Sequence, residues 1–293
     1  MIKPAKYKTY LANLGLFYSA AIWGSTFFIV KKALNDIDPV ILVGYRFTIA
    51  AVLLMIPLII AKKSLLKYLK EGALLGLLLW ILYVAQTIGL KYTTAANSGL
   101  ITGLFVAFVP IFSIIVFKKL PTKTAVLATV ISIIGLIILT GGLQQINNGD
   151  MITLITAVTY ALHILYADRI IKAGADPYIL SFQQFAFVGL ASLLTGVVFR
   201  LPFTIGSTQA FNMMLFLAIF PSLTAFAIQL VAQKYTPPIR VSLILALEPV
   251  FAVLFAWTLG NEHFEVNKAI GALLIFAALI ISALPSREIR FRK

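Results

Sequence analysis

Three side chains that can carry charge interrupt long apolar stretches of this sequence: Arg46, His163 and Glu248. Arginine stays protonated, and its planar fork matches a carboxylate or phosphate, so Arg46 is a candidate clamp for an anionic group. An acid in an apolar stretch typically marks a pathway, where it binds a proton or an amine. These residue types indicate reversible binding of a small polar molecule, with Glu248 as the candidate proton-coupling group.

Each of these residues also has a structural interpretation, and the sequence leaves both open. Arg46 lies about two turns from the end of its stretch, where it could bond helix-end carbonyls or reach outward. Glu248 could be a neutral carboxyl bonded to a neighbouring helix. His163 could make a hydrogen bond between helices instead of forming a cavity wall.

Two prolines predict helix breaks beside the candidate site. Pro249 follows Glu248 and lacks the N–H that the carbonyl of Leu245 would accept in a helix. Breaks inside a membrane expose backbone groups to a cavity. Pro110 predicts an equivalent break in another apolar stretch, with Val109 in place of the acid.

Aromatic and amide side chains at helical spacing predict the remaining walls of the site. Tyr160 and His163 share a helix face, as do Trp80 and Tyr83. Such mixed surfaces suit a small amphiphilic ligand. The predicted substrate-binding residues are Trp23, Arg46, Trp80, Tyr83, Asn97, Tyr160, His163, Gln183 and Glu248.

Metal and cofactor chemistry have no candidate residues in this sequence. Cysteine is absent, and the only other histidine, His263, falls between two apolar stretches. The sequence also lacks the zinc-protease motif, the nucleophile elbow and the phosphate-binding P-loop. We therefore predict no metal, no cofactor and no enzymatic activity.

The elements that position these side chains are apolar helices. Of 293 residues, 61% are hydrophobic and 12% are charged, which excludes a soluble domain with one core. Stretches of about 20 apolar residues span a bilayer. We predict an all-α integral membrane protein with ten transmembrane helices at 10–30, 39–61, 70–90, 97–117, 122–141, 149–168, 178–198, 211–233, 239–258 and 266–285.

The basic residues predict the orientation of these spans. With both termini in the cytoplasm, 18 of the 24 lysines and arginines fall on the inner side and five on the outer side. This bias follows the positive-inside rule. The net charge of +14 therefore reflects topology, and no nucleic-acid partner is expected. We expect a multi-pass protein of the inner (cell) membrane.

Short motifs recur at about half the chain length. Asp38-Pro39-Val40-Ile41-Leu42 is echoed by Asp176-Pro177-Tyr178-Ile179-Leu180, at an offset of 138. Val109-Pro110-Ile111-Phe112 is echoed by Glu248-Pro249-Val250-Phe251, at 139. Each half holds five spans, so the second half enters the membrane from the opposite side. We predict two inverted five-helix repeats, at 1–145 and 146–293, with the substrate between them.

The order of motifs resembles the EamA-type drug/metabolite transporters. The resemblance is carried by Trp23-Gly24-Ser25-Thr26-Phe27, Tyr45-Arg46-Phe47, Gly89-Leu90-Lys91-Tyr92-Thr93-Thr94-Ala95-Ala96-Asn97, Tyr160-Ala161-Leu162-His163, Leu247-Glu248-Pro249-Val250-Phe251 and Glu262. It implies two inverted five-helix repeats around a cavity lined by spans 1–4 and 6–9. It also implies amino acids, nucleotide-type metabolites, amphiphilic compounds or drugs as substrates.

The expected function is secondary transport of a small molecule, in the outward direction, by alternating access at a midplane site. Expected partners are the substrate, the lipid bilayer and, as a candidate co-substrate, protons. The chain is expected to act as a monomer or homodimer. A lipid-linked carrier flippase of the same fold is the alternative, and an intramembrane enzyme is the less favoured one.

Overall fold

The computed structural model describes residues 4–118, 120–141, 146–259 and 263–283. The predicted repeat boundary at residue 145, Glu262 and several residues used for orientation, among them Lys3, Lys119 and Arg287, lie outside these ranges. The helices of the described residues are α1 (Pro4–Gly24), α2 (Thr26–Ala33), α3 (Pro39–Ile60), α4 (Leu69–Tyr92), α5 (Ala95–Gly103), α6 (Phe105–Phe117), α7 (Lys123–Thr140), α8 (Asn148–Lys172), α9 (Pro177–Val198), α10 (Thr208–Leu217), a π-helix (Ala218–Thr224), α11 (Ala225–Ala232), α12 (Pro238–Leu245), α13 (Glu248–Leu259) and α14 (Val266–Ala283).

Eight helical stretches of the described chain are long and apolar enough to cross a bilayer. They are Tyr7–Ala33, Pro39–Ile60, Leu69–Tyr92, Asn97–Ile115, Asn148–Lys172, Pro177–Val198, Thr208–Ala232 and Pro238–Phe255. The other two predicted spans correspond to the shorter apolar helices Lys123–Leu139 and Val266–Ser282. The prediction of an all-helical, multi-pass membrane protein is confirmed.

Local sequence explains why α3 and α9 begin where they do. Asp38 caps α3 by accepting hydrogen bonds from the N–H groups of Val40 and Ile41, and Pro39 occupies the first turn. Asp176 and Pro177 do the same for α9. A proline suits this position because the first N–H groups of a helix have no internal partner.

Glycines allow the closest helix contacts. Helix α4 packs against α8, and their backbones meet at Gly89 and Gly149. A Cβ atom on Gly149 would lie 2.7 Å from the carbonyl oxygen of Gly89. Helix α7 packs against α14 in the same way, at Gly135 and Gly271. Helices α3 and α9 form a third pair, and α1 and α11 a fourth.

One end of the bundle, here called the N-terminal face, holds the start of α1 and the loops before α4 and α9. Lys63 pairs with Asp176 there, at 2.5 Å between Nζ and Oδ2. Partial burial acts to raise the pKa of Asp176, but the hydrogen bonds from Lys63 and from the backbone of Tyr178 hold that pKa below its usual range. The Asp176 carboxylate therefore stays ionised as the pH falls, and the ion pair is lost only below the ordinary aspartate pKa of about 3.9.

The opposite face holds the ends of α2 and α4 and the start of α8. Lys31 Nζ donates hydrogen bonds to the carbonyl oxygens of Leu90, at 2.6 Å, and Thr93, at 2.8 Å. The Thr93 hydroxyl in turn donates to Asp150 Oδ1 at 2.5 Å, which connects the end of α4 to the start of α8. Both faces of the bundle are thus closed by polar contacts.

We predict that Gly149→Ala destabilises the protein. The added methyl group would collide with backbone atoms of α4, and overpacking of this kind costs about 1–3 kcal/mol. The matched control is Gly99→Ala, whose Cβ would lie 3.7 Å from the Phe27 ring, an ordinary contact. Thermal unfolding in detergent should show a lower Tm for Gly149→Ala alone. Equal Tm values would contradict the close α4–α8 contact.

Candidate substrate-binding site

Four departures from regular α-helix surround the centre of the bundle. α1 gives way to α2 at Ser25, α5 to α6 at Leu104, and α12 to α13 at Ala246 and Leu247. The fourth is the π-helix, which contains Pro221. In a π-helix and at a helix junction, some backbone groups lose their regular partners and become available to side chains.

The structure places the two predicted proline breaks differently. Pro249 is the second residue of α13, directly after the junction, as the sequence indicates. Pro110 lies inside α6, whereas the junction is at Leu104. The Leu104 N–H bonds the carbonyl of Ile101 instead of Leu100, which tightens the turn ahead of the proline. The expected break at Pro110 is therefore displaced by six residues along the chain.

A small cavity lies where these departures meet. Its walls are Trp23, Thr26, Leu82, Tyr83, Gln86, Thr102, Tyr160, Phe226 and Glu248. The volume of about 20 Å³ is room for about one water molecule. A metabolite needs more space than this cavity offers in the conformation described.

Four of the nine cavity walls are aromatic side chains. Phe226 packs against Trp23, with ring centroids 4.7 Å apart, and against Tyr83, at 5.7 Å. Tyr160 meets Trp23 edge to face at 6.2 Å. The Trp23 Nε1–H donates to the carbonyl oxygen of Pro221 at 2.9 Å, so the π-helix fixes the indole. We call Trp23, Tyr83, Tyr160 and Phe226 the aromatic box.

Glu248 is the acidic residue of this cavity. It is the first residue of α13, and 6% of it is exposed. Its carboxyl group has no hydrogen-bond or ion-pair partner within the described residues. A carboxyl at a helix N-terminus lies at the positive end of the helix dipole. Glu248 can therefore accept a proton or the ammonium group of a ligand without first breaking another contact.

Arg46 lies behind the Tyr83 wall and is 98% buried, with 2% exposed. Its guanidinium carbon is 4.7 Å from the Tyr83 ring centroid, a cation–π contact. Its Nε donates to Ser222 Oγ at 2.8 Å, and Ser222 donates to the carbonyl of Leu217. Nη2 has no partner in the part of the chain that the structure describes. The cation is thus held by neutral groups, with one nitrogen available to an anion.

His163 lies next to the aromatic box. Its ring is 6.1 Å from the Phe226 ring, edge to face. Its Nε2 bonds Gln184 Oε1 at 2.8 Å, which connects α8 with α9. The hydrogen bond between helices is therefore present, and Nδ1 is left without a partner among the described residues.

Three predicted binding residues lie away from the cavity. Trp80 donates to Ser192 Oγ at 3.1 Å, between α4 and α9. Gln183 donates to the carbonyl oxygens of Leu65 and Lys67, both at 2.7 Å, on the N-terminal face. Asn97 lies half-buried in the first turn of α5 and is not among the cavity walls.

Sequence reasoning missed Phe226, Gln86 and Ser222. Gln86 follows Tyr83 by three residues and donates to Thr102 Oγ1 at 3.2 Å, so the polar helix face could have revealed it. Ser222 could have been noticed as a polar residue beside Pro221 in an apolar stretch. Phe226 had no distinguishing signal, because phenylalanine is common throughout this sequence.

Comparisons with known proteins agree with an architecture of apolar helices. The model of the EamA-like transporter family matches residues 10–141 and again 147–284. An uncharacterized transporter of Archaeoglobus fulgidus is 33% identical over 277 residues, covering 94% of this chain and 87% of the relative. The uncharacterized inner membrane transporter YedA of Escherichia coli is 28% identical over 286 residues, covering 91% and 89%.

One solved structure is similar to this chain in its fold. It has a TM-score of 0.78 at 18% identity and covers 93% of this chain and 96% of that chain. The apolar helices indicate a multi-pass membrane protein, and the family match and the relatives point to a transporter rather than an enzyme. The chain belongs to the EamA-like transporter family.

We predict that Arg46→Met destabilises the protein less than Ser222→Ala, which removes the hydroxyl that Arg46 bonds. Arg46→Met replaces a buried, poorly paired cation with an apolar chain, which is often neutral or stabilising. Ser222→Ala leaves the cation with an unpaired Nε, at a cost of about 1–3 kcal/mol. Thermal unfolding should therefore rank Ser222→Ala below Arg46→Met. A large loss of stability in Arg46→Met would show that the arginine is a structural anchor.

Proposed function

We propose that this protein is a secondary transporter that exports small metabolites, such as amino acids or amphiphilic compounds. The substrate binds in the cavity of the aromatic box, which opens alternately to either side of the membrane. The observation that carries the proposal is the buried, unpartnered carboxyl of Glu248 facing a closed cavity between helices of both halves. An acid in this setting is costly unless it serves a pathway.

The hydrogen bonds that close the two faces support the inverted repeats. On the opposite face, the Tyr45 hydroxyl donates to the carbonyl of Phe203 at 2.7 Å. On the N-terminal face, Gln183 donates to the carbonyl of Leu65 at 2.7 Å. Tyr45 and Gln183 are 138 positions apart, and so are Leu65 and Phe203. Each half therefore donates to the equivalent backbone position of the other half.

A second pair of contacts, between side chains, also joins the two halves on the two faces. Thr93 donates to Asp150 on the opposite face, and Thr236 donates to Asn13 Oδ1 at 3.1 Å on the N-terminal face. The two threonines are the final residues of the repeated Lys-Tyr-Thr motif. This exchange supports the division into residues 1–145 and 146–293 and ten spans in all. Together with the positive-inside bias, it supports a protein of the cell (inner) membrane with both termini in the cytoplasm.

Transport follows from opening one set of these contacts while the other stays closed. The N-terminal face carries an additional ion pair, Lys63–Asp176, and the opposite face carries the Lys31 hydrogen bonds instead. Because the pKa of Asp176 is low, acidification in the physiological range leaves the ion pair formed. We therefore assign proton binding during transport to Glu248.

The site indicates a substrate with an apolar body and a polar end. The aromatic box supplies flat apolar walls, and Glu248 supplies a place for a proton or an ammonium group. The functional unit in this proposal is a monomer, or a homodimer in which each chain has its own site.

A lateral groove is the one observation that favours a lipid-linked carrier flippase. Its volume is about 410 Å³, and it runs between α1 and α11, lined by Leu11, Ile228 and Tyr235 among others, with Lys8 at its rim. It shares no lining residue with the cavity of the aromatic box. Because the buried acid lies in that cavity and not in the groove, export of a small metabolite is the better-supported function.

The direct experiment is flux in liposomes. Purified protein is reconstituted, and uptake of labelled amino acids, aromatic and hydrophobic ones foremost, is measured with and without a pH gradient. Saturable uptake of one class supports the proposal. Absence of both flux and binding across amino acids and amphiphilic compounds would contradict it, and flux of a lipid-linked substrate would favour the flippase.

We predict that Glu248→Gln abolishes uptake driven by a pH gradient and preserves exchange of substrate across the membrane. Glutamine keeps the shape of the side chain and cannot bind the proton. The matched control is Glu265→Gln, because Glu265 is exposed and pairs with Lys268 outside the cavity. Driven uptake should be normal in this control. Normal driven uptake in Glu248→Gln would contradict proton coupling through this residue.

A further inference from the structure

A second polar cluster lies next to the aromatic box, on α8, α9 and α11. His163, Gln184, Gln229 and Gln233 are all fully buried, at 0% exposure. Each keeps one polar atom without a partner among the described residues: His163 Nδ1, Gln184 Nε2, Gln229 Nε2 and Gln233 Oε1. We call these four residues the inner polar layer.

Such a cluster is costly in a static structure. A buried polar atom without a hydrogen bond costs about 1–3 kcal/mol, and the surrounding lipid offers no compensation. Other contacts of the same side chains are well made: Tyr160 donates to Gln229 Oε1 at 3.2 Å, and Gln233 donates to the carbonyl of Ile164 at 2.7 Å. These contacts hold the side chains in place and leave their second polar atoms available.

The inner polar layer extends away from the cavity toward the N-terminal face. Phe226 and Gln229 share one face of α11, and Gln233, the C-cap of that helix, follows at the next helical step toward the N-terminal face. The cavity residues Thr26 and Gln86 lie toward the opposite face. Phe226 contacts both sites, because its ring packs against Trp23 on one side and against His163 on another.

The two halves also place related groups on the two sides of the box. Gln184 occupies the position 138 residues after Arg46, on α9 instead of α3. Arg46 and Gln184 are both buried and each keeps one nitrogen without a partner in the described chain. Arg46, the charged donor, lies behind the Tyr83 wall of the cavity, and Gln184, the uncharged donor, belongs to the inner polar layer.

We propose that the inner polar layer is a second, uncharged binding subsite, which opens to water from the N-terminal face and takes the hydrogen-bonding end of the substrate. Phe226 is the barrier between this subsite and the cavity that holds Glu248. Neutral amide and imidazole groups bind a polar end without retaining it by charge, which suits a step of release. The inference rests on the proposed transport function.

The absence of cysteine from the chain makes a direct test possible. Single-cysteine variants Gln229→Cys and Gln184→Cys are reconstituted and treated with a membrane-impermeant, charged methanethiosulfonate reagent on the N-terminal side. Ser132→Cys is the matched control, since Ser132 is 1% exposed and lies on α7, outside both sites. Labelling after denaturation shows that each thiol is present, and thermal unfolding shows that each variant is folded.

We expect Gln229→Cys and Gln184→Cys to react roughly tenfold faster than Ser132→Cys, because opening of the face exposes them to water. Adding Asp176→Asn, which removes the Lys63–Asp176 ion pair, should increase the labelling rate further. Asp38→Asn is its control, since Asp38 caps α3 in the equivalent way. Labelling no faster than in Ser132→Cys would overturn the second subsite.

Failure of the subsite and failure of transport give different results. If labelled solutes move and the inner thiols stay unreactive, transport stands and the inner polar layer is structural. If the thiols react and no solute moves, the water-accessible layer stands and the proposed function is wrong. Loss of flux in Gln229→Leu with retained Tm would add support, and unchanged flux in that variant would contradict a binding role.

Discussion

A lipid bilayer supplies no hydrogen-bond partners to a polypeptide backbone, so each departure from α-helix inside a span must find its partners within the protein. In the described chain, the departures at Ser25, Leu104, Leu247 and the π-helix each lie within two residues of a wall of the same cavity: Thr26, Thr102, Glu248 and Phe226. Side chains supply the missing contacts, as Trp23 does for the carbonyl of Pro221. The requirement to satisfy the backbone therefore places the irregular segments together, and the candidate binding site is where they meet.

The cost of buried polar groups also explains how the charges are distributed. Arg46 contacts a hydroxyl and an aromatic ring, whereas Glu248 has no ion-pair partner among the described residues, so the two side chains do not pair with each other in this conformation. In the proposed function, both groups are candidates for contact with a ligand. Hydrogen bonds between equivalent positions of the two halves close the two faces of the bundle. A conformation open on one face and a conformation open on the other would therefore keep similar numbers of contacts. Alternating access requires two conformations of similar free energy.

Much of the fold could be predicted because apolar length and Asp-Pro caps are local signals. The starts of α3 and α9 at Pro39 and Pro177 follow directly from those caps. Of the site, Trp23, Tyr83, Tyr160 and Glu248 meet at the cavity, while Gln183 instead bonds loop carbonyls on the N-terminal face. Whether an amide faces a cavity or a backbone depends on the neighbouring helix, which helical spacing alone does not reveal. The junction at Leu104 was missed for a similar reason, because the hydrogen bond of its N–H to Ile101 leaves no pattern in the sequence.

The central claim is that the two faces open in alternation around one site, and paired distances test it most directly. Spin labels on cysteines replacing Tyr92 and Asn148 report the separation of α4 and α8 on the opposite face, and labels replacing Lys8 and Tyr235 report the N-terminal face; all four residues are exposed. The account predicts two populations in lipid, in which one distance lengthens as the other shortens. Single unchanging distances in both pairs, or distances that lengthen together, would contradict it.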